Sequence, residues 1–284
     1  MTARLYKREV EITLSRSTGF FEQDPSNQII ISDMRVQFNV TKNLRDEPNT
    51  CELTITNLAS ETRAALQVLP LHVRIAAGYD GETQELFAGD MFWAGSSREG
   101  VDWLTKIQVG DGTRARANAR ISRTFKSGAD PRQVIGDVAK SMGLKIPRSL
   151  AEGTDFLHSL SSGVTVDGPS HEQMTKLLAP KGYGWSVQGG KLQVLKDGET
   201  LGGEAIVINK DAGMVGSPDF GAPSDDKQPP VLTVKTLLKP ELRCGGRIAL
   251  ESRAINGLFR VNKLTHAGDT AGSAWHSTIE GVAA

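Results

Sequence analysis

The residues with the clearest chemical potential lie close together near the end of the chain: His266, Asp269 and Ser277, inside a run from Gly257 to Val282. A histidine with a carboxylate and a hydroxyl is the set a nucleophilic hydrolase needs, the carboxylate orienting the imidazole and the imidazole taking the hydroxyl proton. No G-x-S-x-G turn presents a serine nucleophile. His266 also stands where a strand runs into the turn Gly268-Asp269-Thr270, so its expected role is a hydrogen bond into that turn. His276 alternates with Trp275 and reads as a strand residue facing solvent or an interface. The five histidines, with His72, His158 and His171 completing the set, form no i, i+4 pair, and neither H-E-x-x-H nor C-x-x-C occurs. A zinc hydrolase is therefore disfavoured. Gly110-Asp111-Gly112 and Gly202-Gly203 read as turn glycines, with no phosphate loop or dinucleotide fingerprint around them. Nothing singles out a glycosidase pair among 33 acidic residues. No catalytic, cofactor-binding or metal-binding residue is assigned, and no cofactor is expected. The basic cluster Arg114, Arg116, Arg120, Arg123 and Lys126 leaves three readings open: a solvated strand face, a contact with an acidic partner, or a nucleic-acid contact.

The elements that carry these residues are mostly strands. Val10, Ile12 and Leu14 alternate with polar residues, as half-buried strands do. After a loop at Asp24-Pro25-Ser26-Asn27, the spacing predicts one long strand from Ile29 to Val40, then a strand at Cys51–Thr56. A short helix follows, with Ser60 as its N-cap. Further strands are expected at Val73–Tyr79, Leu86–Trp93, Trp103–Val109 and Ala119–Phe125. Residues 1–125 then make a small barrel or sandwich.

The period changes at residues 126–203. Asp130-Pro131 opens a helix that buries Val134, Ile135, Val138 and Met142 and ends at Gly143. Arg148 to Leu160 is less regular, Gly163–Gly168 is a short strand, and Ser170 caps a second helix ending at Pro180-Lys181-Gly182. Tyr183–Val187 and Lys191–Leu195 form a hairpin through Gln188-Gly189-Gly190. This is an α+β insert. Residues 204–284 return to strands, after a Gly/Pro/Asp-rich loop from Lys210 to Pro230 that could serve as an arm reaching a neighbouring subunit. The expected fold class is mainly β, two small β units flanking the α+β insert.

Composition narrows the classes. Lys+Arg and Asp+Glu number 33 each, so the net charge is zero, which argues against a dedicated nucleic-acid or anionic-membrane binder and suits a subunit that associates with others. With 38% hydrophobic residues and 30 glycines, the chain is globular and turn-rich. No stretch approaches the length of a transmembrane helix and the first residues have no signal-peptide character, so synthesis in a reducing cytoplasm is expected. Cys51 and Cys244, far apart and in strand-like surroundings, are expected to be buried free thiols.

Two passages carry a family resemblance. The first is Val36 to Arg63, a strand, Asn43-Leu44-Arg45-Asp46-Glu47-Pro48-Asn49, a second strand, Ile55-Thr56-Asn57-Leu58 and Ser60-Glu61-Thr62-Arg63. The Tyr79-Asp80-Gly81 turn and Leu86-Phe87-Ala88-Gly89 follow it. The second is Leu237 to Glu280, with Gly257, His266, Gly268-Asp269-Thr270, Gly272, Trp275 and Glu280. Both resemble bacteriophage tail baseplate hub proteins of the tube-like kind. The resemblance implies two tube-like domains around an α/β insert, and a homotrimer that adapts a hexameric tail tube to a trimeric central spike or tip. It implies a structural, non-catalytic role in the virion tail. The channel passes the tape measure protein and then DNA, other baseplate (wedge) proteins are neighbours, and no membrane binding of its own is implied. Two alternatives remain: the hub of a tailocin or type VI-like injection machine, and, from another class, a cell-wall hydrolase carried at the tail tip. The chain has little room for a hydrolase domain beside the three parts.

Overall fold

The computed structural model describes residues 7–17, 23–44, 47–67, 71–146, 162–221 and 230–284, and of 23–27 the backbone alone. Seven strands come first: β1 (Arg8–Ser17), β2 (Gln23–Ile31), β3 (Val36–Asn43), β4 (Asn49–Thr56), β5 (Leu71–Tyr79), β6 (Glu82–Glu99) and β7 (Asp102–Asp111), with helix α1 (Ser60–Ala65) after β4. In β3, Val36, Phe38 and Val40 are buried while Gln37 and Asn39 are exposed. The two-residue period has put one face of the strand into a core. That core gathers Ile12, Leu14, Val40, Leu53, Ile55, Ile75, Leu86 and Ile107, with Leu58 and Leu66 from around α1.

The insert comprises α2 (Thr113–Asn118), β8 (Arg120–Phe125), α3 (Pro131–Ser141), β9 (Val164–Pro169), α4 (Ser170–Leu178), β10 (Tyr183–Gln188) and β11 (Lys191–Lys196). Its own core includes Phe125, Val134, Ile135, Val138, Met142, Met174, Leu178 and Trp185. The Asp130 carboxylate accepts the Arg132 amide at 2.9 Å as the expected cap, and Gly143 takes the left-handed conformation (φ 71°) that ends a helix. Ser60 and Ser170 are not caps. Each is the first helical residue, behind Ala59 and Pro169. Ser170 is fully buried and its hydroxyl accepts from that of Ser141 at 2.8 Å.

The last strands are β12 (Ile206–Ile208), β13 (Met214–Gly221), β14 (Val231–Leu237), β15 (Arg247–Glu251), β16 (Asn256–Asp269) and β17 (Trp275–Ala283). A third core holds Leu232, Val234, Ile248, Leu250, Phe259, Val261, Leu264 and Ile279.

The chain is mainly β as expected, with one core in its first strands and another in its last, but no closed barrel forms among the described residues. Thirteen strands form one sheet in the order β13-β14-β17-β16-β3-β4-β7-β6-β5-β1-β2, with β15 also on β16 and β12 parallel to β15, and no barrel closes among the described residues. The join is β3 against β16, antiparallel, from Lys263↔Asn43 to Asp269↔Gln37. Alternation tells which face of a strand is buried and says nothing about which strand lies beside it. The edge that a barrel would close within one unit is filled here by a strand from the other.

Three smaller expectations also change. The long strand Ile29–Val40 is two strands, β2 and β3, broken at Asp33, whose φ is 57°. The backbone at Asp24–Asn27 runs in β2, not in a loop. Part of the Lys210–Pro230 loop is the strand β13, an edge strand with a bulge between Val215 and Asp219, where Pro218 removes no needed donor. Residues 222–229 of that loop and the irregular stretch Arg148 to Leu160 lie outside the described residues.

Close packing at the join makes one glycine decisive. A Cβ on Gly268 would lie 2.3 Å from the Phe38 ring and 2.9 Å from Trp275. Gly268→Val should lower unfolding stability by about 1–3 kcal/mol, the usual range for overpacking. Urea unfolding would check it, and an unchanged midpoint would contradict the packing at the join.

Candidate functional site

The candidate site is the seam where β16 and its turn enter the first β unit. Asp269 ends β16. Its carboxylate accepts from Arg35 Nη2 at 3.0 Å, from Gln37 Nε2 at 2.9 Å and from its own turn at the Ala271 amide, 2.9 Å. The Arg35 guanidinium, above all, holds the carboxyl well below the usual carboxylate range; partial burial opposes this and is outweighed. Thr270 continues the pairing: its amide donates to Val36 O at 3.1 Å, and its hydroxyl accepts from the Val36 amide at 3.0 Å and donates to Met34 O. Arg8 of β1 donates to the carbonyls of Asp269 (3.3 Å) and Gly272 (2.5 Å). The same guanidinium sits 5.5 Å from the Trp275 ring centroid. Trp275 meets Phe38 edge-on at 5.5 Å and Tyr79 at 6.2 Å, and belongs to the first core although it lies near the end of the chain.

Of the three residues that suggested a triad, two meet. His266 Nδ1 and Ser277 Oγ are 2.8 Å apart, and both residues are fully buried. The Ser277 oxygen also accepts the Lys239 amide at 3.0 Å. Burial pushes the His266 imidazole down to about 3, with the Lys42 ammonium adding to the effect, so the ring is neutral at physiological pH. Asp269 is spent on Arg35 and Gln37, and no solvent path reaches the histidine or the serine at their zero exposure. His276, on the opposite face of β17, is partly exposed.

The insert's hairpin holds it to both β units, by its tip to the first and by Gln193 of β11 to the second. Gly189 and Gly190, both left-handed, turn their amides to Asp111, at 2.6 Å and 3.1 Å. Asn49 Nδ2 donates to Val187 O at 2.8 Å, Gln188 Nε2 to Asn43 O at 2.8 Å, and Gln193 Nε2 to Cys244 O at 3.2 Å. Burial pushes the Asp111 carboxyl up to about 6 against the pull of the two amides.

The sequence matches a described family, Baseplate hub gp41, over residues 10–270. The chain belongs to the Baseplate hub gp41 family. No curated protein sequence matches it. Solved structures share its fold at low identity. The 43 kDa tail protein of prophage MuSo2 from Shewanella oneidensis is 11% identical with a TM-score of 0.67, covering 96% of both chains. The tail protein from Neisseria meningitidis MC58 is 8% identical with a TM-score of 0.67, covering 98% of this chain and 97% of that one. A chain of the Francisella PdpA-VgrG complex is 9% identical with a TM-score of 0.66, covering 99% of this chain and 58% of that one.

For this baseplate hub chain the basic cluster resolves into separate contacts. Arg114 and Arg116 are on a helix, α2, where a strand was one expectation. Arg114 donates to Ser17 Oγ at 2.7 Å and Arg123 pairs with Asp137 at 2.7 Å. Cys51 and Cys244 are both buried and free, Cys244 in a turn and not a strand. Arg8, Arg35, Gln37, Asn49 and Asp111, which do the joining, were not among the sequence candidates. Asp111 stood inside a motif read only for its glycines.

The seam makes a pH prediction. The Asp269 carboxyl titrates lower in the folded chain than its unfolded value of about 3.9, so its contribution is complete above that value and is lost as pH falls below it. Asp269→Asn should cost about 1–2 kcal/mol at pH 7, reduced because Arg35 is half exposed, and the gap between the two proteins should narrow progressively as pH falls below the unfolded carboxylate value toward the lower folded one. Thermal unfolding across pH checks both, and a gap of constant size would refute the ionic clamp.

Proposed function

We propose that this chain is a structural hub subunit whose three copies close a ring at the end of a phage tail. Each subunit brings two β units, β1–β7 (residues 8–111) and β12–β17 (residues 206–283), around the insert from α2 to β11 (residues 113–196), so three subunits present six β modules to a hexameric tail tube and keep threefold symmetry for a central spike or tip. The observation that carries this reading is the β3–β16 pairing, which fuses the two β units of one chain into a single sheet and so fixes their spacing as a ring module must. Membership of the Baseplate hub gp41 family supports it. The outer strands support it too: Ile30 on β2 is 61% exposed, and Val215 and Phe220 on β13 are 41% and 42% exposed. A strand edge with apolar residues in water favours pairing with another chain. In this role the wall is rigid and passes the tape measure protein and DNA without chemistry. Tube, spike and wedge proteins are its partners in the virion.

The type VI-like alternative has the shared fold of the VgrG chain behind it, yet fold likeness at 9% identity says nothing of the machine, and the family match favours the phage baseplate. Light scattering of the purified chain should give the mass of a trimer, alone or on mixing with tail tube protein. A strict monomer under both conditions, or one that cleaves peptidoglycan, would defeat the proposal. Ile30→Lys and Val215→Lys should leave the circular dichroism and the melting temperature close to wild type, since exposed positions cost little, while reducing self-association. Unchanged assembly in both variants would show that these edges are not the contact.

A further inference from the structure

The zero net charge of the chain conceals a division between its parts. Residues 113–196 hold 13 of the 33 basic residues and 6 of the 33 acidic ones, whereas residues 1–112 hold 16 acidic and 11 basic residues. The insert is therefore strongly positive and the first β unit negative. Opposite charges on two parts of one chain attract either within a molecule or between copies, and the placement of the residues decides which.

The negative charge reaches furthest at the β6–β7 turn. β6 pairs with β5 only as far as Asp90, and β7 pairs with β4 only as far as Leu104, so the end of this hairpin runs on past its neighbours. Glu99 and Asp102 stand directly opposite one another there, where like charges repel. Between them Val101 is 84% exposed. The turn is nevertheless braced. The Trp103 amide donates to Asn57 Oδ1 at 2.9 Å, Asn57 Nδ2 donates to the Asp102 carboxylate at 2.8 Å, and Arg63 of α1 lies 4.1 Å from the Trp103 ring centroid. A stiff turn that holds an apolar side chain in water between two repelling acids is preorganised for a partner.

A matching surface lies at the other end of β7. An open cavity of about 390 Å³ beside α2 is lined by Pro48, Ala117, Ala119 and Pro169 together with Arg116 and Arg120, and by no carboxylate. Among the described residues neither Glu99 nor Arg120 has an ion-pair partner. The ten residues of β7 separate the turn from the cavity, roughly 30 Å of extended chain, so the two cannot meet within one molecule. We infer that the β6–β7 turn of one subunit docks into the α2 cavity of a second copy, with Val101 on the apolar lining and Glu99 and Asp102 against Arg116 and Arg120. The guanidinium fork matches a carboxylate's two oxygens. The inference rests on the ring proposed above. Turn and cavity are different surfaces, so the contact is heterologous, the kind that closes when a threefold rotation brings each turn to the next cavity. It gives the ring a salt-sensitive contact beside its strand edges.

The test uses the full chain. Val101→Cys and Ala117→Cys, both at exposed positions, should form a disulfide between chains when the two variants are mixed and oxidised, well beyond what either forms alone. Cys51 and Cys244 are buried and do not compete. Glu99→Lys and Arg120→Glu, also exposed, should keep the wild-type circular dichroism and each weaken self-association in sedimentation roughly tenfold or more, and the double variant should recover it. A trimer that ignores both charge reversals and gives no mixed disulfide would overturn the docking and leave the ring standing, whereas a strict monomer would remove both. Assembly unchanged in Arg120→Glu, with loss of a DNA mobility shift seen in the wild type, would assign the cavity to nucleic acid and equally overturn the inference.

Discussion

Everything in this molecule hangs on the pairing of β3 with β16. It joins residues from opposite ends of the chain, and its backbone hydrogen bonds can be made in only one register if both cores are to stay apolar. In that register Val40 faces His266 and Phe38 faces Gly268, on the buried side. A slip of one residue would turn Gln37 and Asn39 inward. The Asp269 clamp removes that freedom, because its partners Arg35 and Gln37 and the Thr270–Val36 bonds exist at one alignment alone. Aromatic packing backs the polar lock: Trp275 is reached by the first core only when the turn is docked. The bulge in the β16–β17 pair, between Val261 and Lys263, falls where β16 leaves β3 for β15. Extra twist at a bulge lets one strand serve two differently oriented cores.

The strands of this join were legible in the sequence. Val36, Phe38 and Val40, then Cys51, Leu53 and Ile55, then Phe259, Val261 and Leu264, repeat closely enough to announce a half-buried sheet. The helix at Asp130-Pro131 was legible for a similarly local reason, since its cap bond spans two residues. What failed was non-local. Arg35 and Asp269 are separated by 234 positions and Arg8 and Gly272 by 264, and no pattern in a single sequence brings such residues together. The same limit hid that the two β units share one continuous sheet. β13 was lost for a different reason: Gly216 and Pro218 interrupt its alternation, which an edge strand with one unpaired side tolerates and an inner strand would not. His266 and Ser277 were read as chemically suggestive because their types are; burial, which makes them a sealed hydrogen bond, is a property of the packed sheet.

Low sequence similarity to proteins of the same fold is physically reasonable in this light. At 8–11% identity, the tail proteins of Shewanella oneidensis and Neisseria meningitidis share nearly the full length of the architecture. Strand cores accept many apolar residues provided the two-residue period and the volume are kept. A sheet built mostly of antiparallel neighbours is specified by that period and by a few register pins, so identity can drift while topology stays.

Two carboxylates pull the assembly in opposite directions with pH, and this follows from where each is placed. Asp269, faced by a guanidinium, binds its proton less readily folded than unfolded, so the seam gains as pH rises toward the unfolded carboxylate value and is at full strength above it. Asp111, desolvated under the hairpin tip, is pushed up to about 6. Between its unfolded value of about 3.9 and that point, the folded chain binds more protons than the unfolded one, so its contribution falls as pH rises and is lowest above it. Neutral pH thus favours the join between the β units while leaving the insert's contact short of its full strength. The β units are held by backbone pairing along a whole strand edge, whereas the insert is held by a handful of side-chain bonds and two amides on one carboxylate. The insert is accordingly the part whose attachment conditions can adjust, and the continuous sheet is the part that they cannot.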